Sequence, residues 1–105
     1  MSDVVCEREF HTTIDDVVRP IKVSWDRPQP YMGDWRCDFR VVWPDGATSP
    51  GYTVGIDSAQ ALILAFYQVS ARLETASMPV RWFDYDKNKL GLPSHSREET
   101  TGDTP

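Results

Sequence analysis

Apolar residues alternate with polar ones through the first half of the chain and recur at helical spacing in the second. Residues 4–11 put Val4, Cys6 and Phe10 on one side, with Arg8 interrupting the stripe, and Glu7, Glu9 and His11 on the other. Period-two alternation of this kind predicts a half-buried strand. Residues 17–25 repeat it with Val17, Ile21, Val23 and Trp25 in register. Pro20 inside that stretch points to an edge strand, a bulge or a later strand start, because proline cannot donate to a ladder. The clearest strand covers residues 35–43. Trp35, Cys37, Phe39, Val41 and Trp43 share a face there, and Arg36, Asp38, Arg40 and Val42 share the opposite one. That charged side is expected to be the open side of the sheet, with Glu7, Glu9 or Lys22 as cross-strand neighbours. Two prolines and a glycine mark residues 26–34 as a loop. Pro44-Asp45-Gly46 is a turn, and a short fourth strand is expected over residues 52–55.

The period then changes. Asp57 suits a helix N-cap and Gln60 stands three positions on, so the pair can satisfy exposed amides at the helix start. Ala59, Leu62, Ile63, Phe66, Val69 and Leu73 follow at helical spacing, and Pro79 forbids much continuation. Residues 80–85 read as a last strand with apolar residues on both faces. Residues 94–105 hold no large apolar side chain and predict a disordered tail, which leaves 1–93 as one domain. The expected fold is α+β: an antiparallel sheet of four to five strands, one main helix on one face, and a β-β-β-β-α-β order.

The run Gly55-Ile56-Asp57-Ser58-Ala59-Gln60-Ala61-Leu62, with the later Trp82 and Gly91-Leu92-Pro93, resembles a family of small, functionally uncharacterised bacterial proteins. Such sequences pair a Gly-x-Asp-Ser-x-Gln-Ala-Leu helix start with a closing Gly-Leu-Pro. The resemblance spans residues 55–93. It implies a bacterial origin and a shared small fold, and it carries no activity or catalytic residue to transfer.

Composition narrows the function classes. With 105 residues the chain has room for one modest core. A net charge of −5, with eleven scattered Lys and Arg, weighs against a phosphate-binding surface, so no nucleic acid is expected as a partner. No apolar run approaches the ~20 residues of a membrane span, and no charged-then-apolar leader opens the chain. A cytoplasmic protein with free thiols at Cys6 and Cys37 is the resulting expectation.

Candidate chemistry is thin. Asp84 to Asn88 opens like a calcium loop, but Lys89 stands where glycine is required and His95 where the closing glutamate belongs. Cys6, His11, Cys37 and His95 lack the close spacing of zinc ligands. Ser58 lies at a helix start beside Asp57, outside any nucleophile elbow. Gly51 and Gly55 make no phosphate loop. The carboxylate pairs Asp15/Asp16, Glu7/Glu9 and Asp84/Asp86 could serve acid–base work only in a cleft that the sequence does not specify. No catalytic residue, metal or cofactor is therefore assigned.

Partners remain. Tryptophan and tyrosine are enriched in binding hot spots, which favours an accessory, regulatory or immunity-like protein-interaction module with an unidentified protein partner. The alternative is a small-ligand binder or minor enzyme with a pocket between helix and sheet. One helix, ~10–12 Å across, cannot cover a sheet roughly 20 Å wide. Trp25, Trp35, Phe39 and Trp43 are thus candidate interface residues for a twofold homodimer. The competing explanation is that the loop bearing Tyr31 and Met32, or residues 82–92, covers the strip instead.

Overall fold

Alternation in the first half builds one antiparallel sheet, and the second half lays a helix across it. The computed structural model describes residues 3–83 and 90–94. Strand β1 (Val4–Ile14) turns directly into β2 (Val17–Asp26). Asp15 and Asp16 fill the turn with φ of 53° and 66°, the left-handed pair that a tight hairpin demands and that aspartate tolerates. Strands β3 (Gln29–Tyr31), β4 (Asp34–Val42) and β5 (Thr48–Gly55) follow, then helix α1 (Ser58–Glu74). Both β2 and β3 lie along one edge of β4, and β5 lies along the other.

The expected loop over residues 26–34 needs correction. Trp25 faces Phe39 in β2, whereas Gln29 faces Arg36 in β3, so the register moves by one residue across Arg27-Pro28. Strands β2 and β3 are one strand broken by a bulge. Met32 and Gly33, with φ of 53° and 86°, then close a second tight hairpin onto β4.

Pro20 is accommodated by ladder phase. The His11 amide donates to Arg81 O and His11 O accepts from Arg81 N–H, at 2.9 and 2.8 Å. His11 therefore turns its backbone away from β2, and its partner Pro20 owes β1 no hydrogen bond. On the other side, pairing of β2 with β4 begins only at Lys22.

The helix starts as the sequence requires. Asp57 Oδ1 accepts from the Gln60 amide at 2.7 Å, and Gln60 Oε1 accepts from the Ile56 amide at 2.7 Å. Its buried face is rotated from the expected stripe. Ala61, Ala65, Val69 and Leu73 are buried, whereas Ala59 is exposed and Ile63 is 50% exposed. The two alanines let the helix backbone approach β5, where Thr53 Oγ1 donates to Ala61 O at 2.7 Å.

The core joins Phe10, Ile21, Val23, Trp25, Cys37, Phe39 and Val41 of the sheet to that helix face. Helix α1 packs on β4 and β5. The remaining core is completed by the chain beyond the helix: Val80 and Leu90 are buried, and Met78, Trp82 and Leu92 pack beside them. These residues cover part of the apolar strip from within the chain, whereas Met32 of the Tyr31–Met32 turn is 87% exposed. Trp25 and Phe39 consequently face the protein's own helix and interior. A longer strand was expected over 80–85; among the described residues bridge pairing is confined to Arg81 and Trp82, with Arg81 opposite His11, after which Phe83 turns at φ 57°. Residues 84 and 85 lie outside the described residues, as does the expected tail from 95 onward. Ser94, expected to open that tail, is buried.

Candidate functional site

The sheet side opposite the helix carries the most concentrated binding chemistry. Arg36 sits mid-sheet on β4, and its direct neighbours are Gln29 on β3 and Val54 on β5. Tyr31 and Tyr52 occupy the diagonal positions on those strands, within reach of a long side chain. The Arg36 guanidinium carbon lies 3.7 Å from the Tyr52 ring centroid and 5.3 Å from that of Tyr31. Asp38, two residues along the same face, accepts from Arg36 Nε at 3.0 Å. That hydrogen bond is the first cause holding the Arg36 guanidinium above its ordinary value. The result is a cation flattened between two aromatic rings, with Tyr52 half exposed.

The rest of this face is polar. Lys22 stands between Glu9 and Val42, and Ser24 between Glu7 and Arg40. Strand β2 thus separates Glu7 and Glu9 from the charged side of β4, and only Arg40, through Ser24, shares a row with them. Arg40, Glu7, Glu9 and Lys22 are exposed, as expected for the open side.

The candidates for chemistry are dispersed. Cys37 is buried and its thiol is pushed up to about 11 by burial, then by Asp38, Asp26 and Cys6. Cys6 is also raised by burial, against the opposing effect of Arg8. Both shifts move away from the reactive thiolate. Asp57 is committed to the helix cap and Ser58 is exposed beside it. Asp15 and Asp16 are turn residues, and Glu7 and Glu9 stand on the exposed sheet face. Among the described residues, no group of three His, Cys, Asp or Glu is placed to hold a metal ion. The Asp84/Asp86 pair, the calcium-like loop and His95 lie outside them. No helix among the described residues is long and apolar enough to cross a membrane.

Of the candidate interface residues, Trp25 and Phe39 are buried, while Trp35 near the start of β4 and Trp43 just past its end are half-buried. Trp43 Nε1 donates to Ser49 Oγ at 2.8 Å. The Arg36 cluster has a faint sequence signal: two tyrosines, one on each side of the strand that bears the arginine. Only the strand register reveals that both reach it.

Residues 6–94 match the family model described as a domain of unknown function, DUF6968. The chain belongs to this family. The DUF6968 match reaches well beyond the stretch 55–93 that the sequence motifs mark, and takes in all of the sheet but Val4 and Val5 at the start of β1. Neither a curated protein nor a solved structure matches the chain. Within this DUF6968 domain the two motifs do structural work. A Cβ at Gly55 would stand 2.5 Å from the Ala61 amide nitrogen, so glycine permits the close strand-to-helix turn. Gly91, at φ 75°, brings the chain against the Trp82 ring and Arg8. Arg8 in turn stacks 4.0 Å over Trp82 and donates to Leu90 O and Gly91 O.

Proposed function

We propose that this DUF6968 protein is a non-catalytic protein-interaction module of accessory, regulatory or immunity-like kind, acting in a bacterial cytoplasm, and that Tyr31, Arg36 and Tyr52 anchor its partner. One observation carries the reading: a pre-stacked Arg–Tyr cluster on a sheet face that no other element covers among the described residues. Tyrosine and arginine are, with tryptophan, the side chains enriched in hot spots, and a stacked guanidinium has already lost much of its rotamer freedom before binding. Raised thiols and dispersed carboxylates favour recognition over catalysis. Three grooves among the described residues, of about 330, 340 and 290 Å³, lie at the low end for small-molecule sites, so the ligand-binding alternative ranks second.

The test is affinity capture from the native host with the wild-type chain and with Arg36→Ala and Tyr52→Ala, followed by titration of the purified partner. Both substitutions should weaken binding by roughly 30-fold, the size of a hot-spot loss. A partner held equally by all three proteins would move the site elsewhere. Stabilisation by a metabolite, with no protein retained, would replace this reading with the ligand-binding one.

A further inference from the structure

Strand β5 is an outer strand of the sheet, and the phase of its hydrogen bonds determines what it offers. The Trp43 amide donates to Ala47 O at 2.8 Å, and pairing runs without a register shift from there to Trp35 opposite Gly55. Alternation then directs the backbones of Ser49, Gly51, Thr53 and Gly55 toward β4, and those of Thr48, Pro50, Tyr52 and Val54 outward. Pro50 has no amide to offer, and its carbonyl accepts from Arg72 Nη1 at 3.2 Å. At the other end the Ile56 amide is taken by Gln60 Oε1. Between these stops, the outward N–H and C=O of Tyr52 and of Val54 have no partner among the described residues.

We propose that this window pairs with the same window of a second copy of the chain, about a twofold axis at Thr53. Antiparallel pairing about Thr53 sets Tyr52 opposite Val54 of the second copy, and Val54 opposite its Tyr52. All four residues point their backbones across the junction, so every free donor meets a free acceptor. On the open face the same register places an aromatic ring against a β-branched side chain twice over, a favourable cross-strand pair. Tyr52 and Val54 are 50% and 39% exposed in the single chain. Strand β5 carries no charge along its eight residues, so the junction brings no like charges together.

The second layer fits the same occupant. Helix α1 lies over β4 and β5, and a groove of about 340 Å³ runs between its outer side and β5, lined by Leu64, Tyr67 and Ala71 with Tyr52, Thr53 and Val54. With strands ~4.8 Å apart, two helices centred over the β4–β5 pairs of a continuous sheet stand roughly 10 Å from each other. Packed helices have interaxial distances of 8–10 Å. The partner's helix therefore fills the groove. The contact leaves Arg36 and Tyr31 uncovered, shares only Tyr52 with the cluster proposed to bind a partner, and rests on the strand edge, not on that function.

Light scattering across micromolar to submillimolar concentration should give twice the 12.0 kDa of one chain. Val54→Pro removes an outward donor without touching the β4 ladder, and should weaken the dimer at least tenfold while circular dichroism stays unchanged. Thr53→Cys supplies a second readout that does not depend on that variant. Under mild oxidation it should cross-link copy to copy at the axis, whereas Thr48→Cys on the same strand should not. A monomer at every concentration overturns the proposal. So does a dimer that is indifferent to Val54→Pro and fails to cross-link through residue 53.

Discussion

The two long outer strands of this sheet meet solvent in opposite ways. Strand β1 is guarded. A register shift between Val4 and Cys6 twists its start, Glu7 and Glu9 place charge beside its edge, and Arg81 occupies the outward groups of His11. Strand β5 has Pro50 and the Arg72 contact at one end, and past them it is uncharged, with the outward backbone groups of Tyr52 and Val54 unpaired among the described residues. Natural sheets blunt exposed edges with charge, bulges or covering chain. Here all three devices fall on one side. An edge left bare while its counterpart is triply protected is the place to expect a partner, and the helix beside it is the reason that partner can be another copy.

The largest effect should come from the guarded side. Leu90 is buried where the post-helix chain closes over the core beside β1. Leu90→Ala should cost about 3 kcal/mol by the usual range for a buried leucine, read as a lowered denaturant midpoint. A loss near zero would show that the 90–94 segment only rests on the sheet. Gly55→Ala attacks the other side. The added methyl has nowhere to go without moving the helix backbone, so a loss of about 2 kcal/mol is expected. Should the loss on that side be the greater, the β5–α1 junction rather than the chain beyond the helix would be the more sensitive anchor.

These two sites also mark what the sequence could and could not disclose. Period two in Trp35–Val41 and the Asp57–Gln60 start were legible because each is a local pattern with a local cause. Strand β3 was hidden by Pro28 and Pro30, which look like breakers until the ladder phase shows the Pro30 ring nitrogen turned away from β4. The Asp15-Asp16 pair looked like candidate acids and is a hairpin turn, since positive φ leaves no trace in hydropathy. Arg8 spoiled an apolar stripe because its partners, Trp82 and the carbonyls of Leu90 and Gly91, lie more than seventy positions away. The Arg36 cluster and the bare β5 edge both depend on register, which no single strand encodes. The proposed binding surface and the edge were therefore the least legible parts.

A smaller effect tests the helix that flanks the bare edge. Asp57→Ala removes the acceptor of the Gln60 amide and should cost about 1 kcal/mol, a fall of ~4–8 °C in Tm for a domain of this size. Because Gln60 also blocks the Ile56 amide, Gln60→Ala should lengthen the free window of β5 by one donor. Amide exchange would then speed up at Ile56 in the monomer and slow again at high concentration. Fast exchange at Tyr52 and Val54 that ignores concentration would undo the comparison between the edges.

The smallest change in stability should follow the double substitution of Glu7 and Glu9 by glutamine. Both side chains are exposed, and Glu9 faces the exposed Lys22, so the loss should stay within about 0.5 kcal/mol. Its interest lies in association. If the carboxylates guard β1, neutralising them gives each protomer a second adhesive edge. A sheet that can pair at both edges no longer closes as a dimer and grows open-ended. The scattering mass should then climb beyond the dimer as concentration rises, and Val54→Pro should stop that growth because it removes the first junction. A double variant that stays dimeric throughout would place the guard in the Arg81 bridge and the register shift near Val4, which the substitutions leave intact. Arg81→Pro would then be the variant to expose β1, since it deletes the amide that His11 O accepts.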